Sequence, residues 1–237
     1  MTQRAAPERL EPEDLRARLA AGAVLGDFRD PRIFGAGHVA GSLNVAIDSP
    51  QLGERVGWFA PPGRPLVLLV ETDAHLTRAL SALARIGLDD VAGYVIGSAA
   101  VRTSGLRVEV LPQVTASELA ERLQAEPDLV VLDVREPVEW EEGHVPGARH
   151  IPMREVPGRL AELPRDRRIA LICRGGARSS TCLMFFEFPV GSLKAATPGT
   201  RRNGLVRGRI RYRQPPDPQP HANRRPDAAR PSRAVVS

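Results

Sequence analysis

Cys173 closes a short apolar run, Ile169–Ile172, and is followed by Arg174-Gly175-Gly176-Ala177-Arg178-Ser179-Ser180. A strand that ends in a nucleophile, passes a glycine-rich turn and enters a helix brings successive backbone N–H groups around one point, a cradle suited to an anion. An ordinary thiol, with a pKa of about 8.5, is only about 3% ionised at pH 7. Amide dipoles and two flanking guanidiniums are the groups that favour the thiolate form. Gly175 and Gly176 are expected to let the backbone turn tightly toward the sulfur. A core cysteine needs neither paired glycines nor flanking arginines, so Cys173 reads as a nucleophile. Cys182, four residues after Arg178 on the expected helix, reads as a packed apolar side chain. Two cysteines nine positions apart give no disulfide framework, and without a Cys/His cluster they make no structural zinc site. No metal and no organic cofactor is expected.

The elements that must position this loop are announced by an internal repeat. Residues 26–45, GDFRDPRIFGAGHVAGSLNV, align without gaps onto residues 132–151, LDVREPVEWEEGHVPGARHI, at an offset of 106. Asp27/Asp133, Arg29/Arg135, Pro31/Pro137, Gly37/Gly143, His38/His144, Val39/Val145 and Gly41/Gly147 are identical pairs. A period this long is that of a duplicated globular unit rather than a solenoid. Helical spacing precedes each copy at Asp14, Leu15 and Leu19, and at Ser117, Leu119, Ala120 and Leu123. Thr115 with Glu118 forms a capping box for the second of these helices. The apolar segments Val24–Phe28, Leu129–Val134, Leu66–Val70 and Ile169–Ile172 read as strands buried on both faces of a parallel sheet. The first copy ends in a helix over His75–Ile86 and a strand over Val91–Ile96, an ending that the second copy lacks. Laying Val67–Val70 on Ile169–Ile172 sets Glu71 at the place of Cys173. The paired histidines and the Asp-x-Arg pairs, present in both copies, read as loop-holding hydrogen-bond and ion-pair groups. The expected fold class is α/β, as two α/β/α units with parallel sheets over 8–103 and 112–190, a linker SGLRVEVL between them, and a disordered tail over 191–237.

Composition agrees with a soluble globular protein: 42% of the 237 residues are hydrophobic and 26% charged. No apolar run approaches the roughly 20 residues that cross a bilayer, and the N-terminal stretch has no apolar core of a signal, so the expected location is the cytoplasm, with no membrane partner. The net charge of +5 divides unevenly: eleven Lys/Arg against two Asp from Lys194 onward, and 22 Lys/Arg against 26 Asp/Glu before it. The tail holds seven of the 22 prolines and few large apolar side chains, a composition that does not offset chain entropy. With Tyr212 its only aromatic, it is expected to be solvated rather than to read nucleic acid.

The motif D-x-R-x-x-x-x-[FW]-x-x-G-H-[VI]-x-G-[AS], present in both copies, together with the loop C-R-x-G-x-R-S at 173–179, resembles the rhodanese domains, whose members include sulfurtransferases. The resemblance implies two rhodanese-like domains. It makes Cys173 the persulfide-forming nucleophile, with Arg178 as its catalytic partner and Arg174, Gly175, Gly176, Ala177 and Ser179 as the substrate-binding loop. Four residues separate Cys173 from Arg178, whereas phosphatases with a similar loop place five, and the shorter loop favours sulfur over phosphate. The activity implied is transfer of sulfane sulfur from a small anionic donor such as thiosulfate or a persulfide to a thiol, cyanide or protein acceptor. With Glu71 in place of a cysteine, the first copy is expected to be catalytically silent. A non-catalytic binding or regulatory module is the alternative, prompted by the missing ending of the second copy.

Overall fold

The computed structural model describes residues 6–187 and the two short strands at 193–194 and 211–212. The first half runs α1 (Pro12–Ala20), β1 (Val24–Asp27), α2 (Pro31–Ala36), β2 (His38–Val39), β3 (Leu43–Asn44), α3 (Leu52–Phe59), β4 (Leu66–Val70), α4 (Asp73–Ala84), β5 (Val91–Ile96) and α5 (Ser98–Thr103). After β6 (Val108–Glu109), the second half runs α6 (Ala116–Ala125), β7 (Val130–Asp133), α7 (Pro137–Glu141), β8 (Arg149–His150), α8 (Val156–Arg159), β9 (Ile169–Ile172) and α9 (Ala177–Cys182). Two-residue strands follow: β10 (Phe186–Glu187), β11 (Leu193–Lys194) and β12 (Arg211–Tyr212). The Thr115 capping box forms as expected, with Glu118 N–H donating to Thr115 Oγ1 and Thr115 N–H to Glu118 Oε2. Between β8 and β9, α8 lies between two 3₁₀ turns, Met153–Glu155 and Leu160–Glu162.

Two parallel four-stranded sheets share one strand order. The first is β3-β1-β4-β5 and the second is β8-β7-β9-β11 when read in the same sense. The second sheet therefore does have a fourth strand: β11 pairs parallel to β9 on the side where β5 flanks β4. Strand β11 lies beyond the boundary expected at 190, and β11 and β12 fall within the tail expected over 191–237. Strand β9 has a bare edge once β7 covers its other side, and backbone donors and acceptors there need partners. Leu193–Lys194 supplies them, and Arg211–Tyr212 pairs antiparallel with β10. The rest of 191–237 lies outside the described residues.

Pairing also corrects the alignment of the two copies. Leu66 pairs with Val24 and Ile169 with Val130, and 24 and 130 are equivalent positions of the repeat. Cys173 therefore corresponds to the buried Val70, and Glu71 to Arg174. The apolar pattern alone did not fix this step because β4 is five apolar residues long and slides by one without penalty. The linker is not free either. Val108–Glu109 pairs antiparallel with His38–Val39, and Leu111 is buried.

Alternation along the strands decides where the cores lie. Leu66, Leu68 and Val70 of β4, and Ile169, Leu171 and Cys173 along β9 and its end, belong to a single core shared by both halves. Val67 and Leu69 face a separate core of the first half, and Ala170 and Ile172 one of the second. The shared core is closed by α3, which approaches α4 so tightly at Gly53 that a Cβ there would lie 2.6 Å from the Ala82 carbonyl oxygen. Across the seam the Phe59 and Phe185 rings meet edge to face at 5.3 Å, the Arg154 guanidinium lies 4.3 Å over Trp58, and Thr181 Oγ1 donates to the Asn44 carbonyl at 2.7 Å. Phe59→Ala is expected to lower the unfolding free energy in urea by about 3–5 kcal/mol, whereas Val138→Ala, at an exposed side chain, is expected to change it by less than about 0.5 kcal/mol.

Candidate functional site around Cys173

Cys173 leaves the C-terminal end of β9 on the face that looks into the shared core, and it is 8% exposed. The chain turns back at Gly176, which has φ 82° and caps α9. A side chain would be strained in that left-handed conformation, so glycine is required there. Gly175 does not need positive φ, and a Cβ on it would meet nothing within 4 Å. The expected pair of turning glycines therefore reduces to one.

Gly176 N–H donates to Cys173 Sγ at 3.1 Å, and Ser179 Oγ lies 3.4 Å from the sulfur. Ser179 Oγ in turn donates to the Gly176 carbonyl at 3.0 Å, which locks the hydroxyl over the turn. Cys173, Gly176 and Ser179 are thus brought together. The expected ring of amides is in the structure one backbone bond to sulfur, because α9 is only six residues and begins at Ala177, beyond the tight turn. Arg174 and Gly175 are exposed and make no hydrogen bond to the sulfur, and Ala177 is half-buried at the first turn of α9. Cys182 is wholly buried, and burial pushes its thiol pKa up, so it stays protonated and inert.

Arg178 is close enough to Cys173 for their charges to interact, yet its guanidinium is committed elsewhere. Glu139 binds it at both carboxylate oxygens, with Arg178 Nη2 to Glu139 Oε1 at 2.8 Å and Arg178 Nη1 to Oε2 closer still. Such forked pairs are strong and directional. The Arg178 fork holds the Glu139 carboxyl at a pKa of about 2 instead of 4.5. Glu139 is itself held in place by the repeated motif. The Asp133 carboxylate accepts from Arg135 N–H at 3.0 Å and from Arg135 Nε and Nη2, and Arg135 Nη2 also donates to the Gly143 carbonyl at 2.8 Å. This brace sets the start of α7, where Glu136 N–H donates to Glu139 Oε2 at 3.1 Å.

The same brace recurs in the first half, with Arg29 on Asp27 and on the Gly37 carbonyl. The histidines take the structural part expected of them. His38 Nδ1 meets the Phe34 carbonyl and His144 Nδ1 the Trp140 carbonyl, both at 3.1 Å, with each ring stacked on that aromatic. In the first half Glu71 accepts from Ser98 Oγ at 3.0 Å, and Ser98 Oγ accepts from Arg29 Nη1 at 3.1 Å.

Sequence reasoning missed two residues. Glu139 carried a signal, since it interrupts the repeat with an acid where the first copy has Ile33. Arg55 carried none. It lies on α3, more than a hundred residues from the loop, and interacts electrostatically with Arg178 and, when that thiol is ionised, with Cys173. A cavity of about 510 Å³ lies between Leu19, Val39 and Phe185, and no residue of the cysteine loop lines it. Among the described residues no group of three His, Cys, Asp or Glu could hold a metal ion, and no helix is long and apolar enough to cross a membrane.

A parallel strand delivering a cysteine into a glycine turn capped onto a short helix defines a class of α/β cysteine-loop domains. The family model of the rhodanese-like domain matches residues 115–197. A sulfurtransferase of Allochromatium vinosum is 37% identical over 67 residues, 28% of this chain and 63% of that protein. YtwF of Bacillus subtilis is 32% identical over 77 residues, 32% of this chain and 75% of that protein. The chain thus spans just under two thirds of the first relative and three quarters of the second. The crystal structure of thiosulfate sulfurtransferase from Pseudomonas aeruginosa aligns at 23% identity over 81% of this chain and 41% of that chain, with a TM-score of 0.37. The chain belongs to the rhodanese-like family.

The Glu139–Arg178 pair has a pH signature. A carboxyl whose pKa is lower in the folded than in the unfolded chain stabilises the fold fully above its ordinary value, and the contribution is lost as pH falls. For Glu139 that window runs from about 4.5 down to about 2. Glu139→Gln is expected to flatten the fall of unfolding free energy across this window while leaving the profile above pH 6 parallel to the wild type, as measured by denaturant titrations at stepped pH.

Proposed function

We propose that the protein is a sulfurtransferase in which Cys173 carries a sulfane sulfur as a persulfide. The observation that carries this reading is the contact of Cys173 Sγ with Gly176 N–H at the end of β9, inside the segment matched by the rhodanese-like family. The same donor serves a terminal persulfide sulfur. With thiosulfate as donor, the Cys173 thiolate attacks the outer sulfur, a new S–S bond forms, and the old one breaks with its electron pair leaving on sulfite. A thiol or cyanide, or a protein thiol, then attacks the outer sulfur of the persulfide and returns Cys173 as thiolate. Ser179 fixes the turn, and Arg178, held by Glu139, keeps the helix start in place. Arg174, Gly175 and Ala177 form the solvent-side rim over which the donor enters.

In this reading the chain is a tandem of two rhodanese-like units, over 8–103 and from 112 to the end of β11. The first is catalytically silent. The register supports silence more directly than a substituted acid would, since Val70 at the position of Cys173 has no lone pair to attack with, and Glu71 is drawn into the Arg29–Ser98 network.

A non-catalytic binding module is favoured by one observation, the 8% exposure of Cys173. Intact-mass measurement after thiosulfate treatment separates the two. Wild type and Cys182→Ser are expected to gain the mass of one sulfur atom and lose it on addition of cyanide, with ping-pong steady-state kinetics. Cys173→Ser is expected to gain none and to lose turnover by at least about 1000-fold at unchanged melting temperature. A wild-type protein that never gains sulfur would leave the binding-module reading standing.

A further inference from the structure

Arg55 sits in the middle of α3, and its position on that helix is informative. Trp58 and Phe59 follow it by three and four residues, so the three side chains share one face. Both of the others touch the second half, Trp58 under Arg154 and Phe59 against Phe185, at the end of the 3₁₀ turn Leu183–Phe185 that follows α9. Arg55 therefore projects into the same seam, on the side of the Cys173–Arg178 loop. Its Nε is buried without a hydrogen-bond partner, and no ion pair to its side chain is present among the described residues.

Buried guanidinium N–H groups are normally satisfied, and one that is not marks a place for a missing acceptor. Arg178, the obvious cation of the loop, is neutralised by the Glu139 fork, and Arg174 points to solvent. Glu136 is a carboxylate that acts on Arg55, and it does so without a hydrogen bond or ion pair to it. Burial and the like charge of Arg178 both press against the Arg55 cation, so an incoming anion would relieve them.

We propose that Arg55, supplied by the first half, is the substrate-anion residue of the Cys173 site, holding the charged oxygens of a donor such as thiosulfate across the seam while Cys173 attacks its sulfur. The proposal rests on the reading of Cys173 as the sulfur-accepting nucleophile and adds what holds the donor. It also gives the first half a part in the reaction although it carries no nucleophile of its own.

The test uses the full chain and two alkylating probes of nearly equal size, anionic iodoacetate and neutral iodoacetamide, with modification of Cys173 followed by peptide mass analysis. The ratio of the two rates reports the local preference for an anion independently of any sulfur transfer. Arg55→Gln is expected to lower the iodoacetate-to-iodoacetamide ratio about tenfold and to raise KM for thiosulfate about tenfold with kcat changed less than about twofold. Arg55→Lys, which keeps the charge without the fork, is expected to retain most of the ratio and less of the thiosulfate affinity. Should Arg55→Gln not fold, Arg55→Met, which keeps the packing of the stem, is judged by the same ratio. A folded variant with an unchanged ratio overturns the proposal. A ratio that falls in a protein showing no sulfur uptake from thiosulfate supports the anion site and overturns the sulfur-transfer reading instead.

Discussion

The direction in which β9 presents its last residue governs everything built around Cys173. Hydrogen bonds to β7 on one side and β11 on the other leave the strand no freedom to rotate, and alternation then puts every second side chain on the same face. Ile169 and Leu171 are buried in the core common to both halves, so the sulfur two residues further on must look toward that core as well. It emerges where the core ends and the turn begins, next to helices that belong to the other half of the chain. The cysteine is thus placed by apolar burial, and the polar groups around it act on a position already decided. Each fully buried leucine or isoleucine in that row contributes about 1.5–3 kcal/mol, more than the one neutral-amide contact to the sulfur supplies.

Polar groups around the loop form a relay of fixed geometry. The Asp133–Arg135 brace sets the first turn of α7, that turn carries Glu139, and Glu139 grips Arg178 on α9. A motif that contains no atom touching the sulfur therefore controls how the cysteine loop sits. Its twin in the first half holds the same shape around Phe34 and His38 but has no arginine to grip, because Ile33 occupies the place of Glu139.

Much of this was legible in the residues. The apolar runs Leu66–Val70 and Ile169–Ile172 marked two strands, since runs of buried aliphatic residues admit little else, and Thr115 with Glu118 marked a helix start that formed as expected. The repeat pointed to the Asp–Arg braces and to a hydrogen-bonding part for the paired histidines, while their stacking on Phe34 and Trp140 came only with the structure. The one-residue slip at Glu71 arose because five consecutive apolar residues carry no register of their own, and only hydrogen bonding to β1 supplies it. Strand β11 was invisible for a related reason. Two residues, Leu193 and Lys194, have no periodicity to read, and they are strand because β9 presents an open edge. Arg55 was out of reach altogether, since a contact across the seam between the halves leaves no trace in the spacing of either.

The strand formed by Val108–Glu109 has a consequence for how the halves relate. Because the passage from one half to the other is itself hydrogen bonded to His38–Val39, it behaves as a stitched hem rather than a tether. Severing the chain there would remove the backbone partners of His38–Val39 and loosen the packing that buries Leu111.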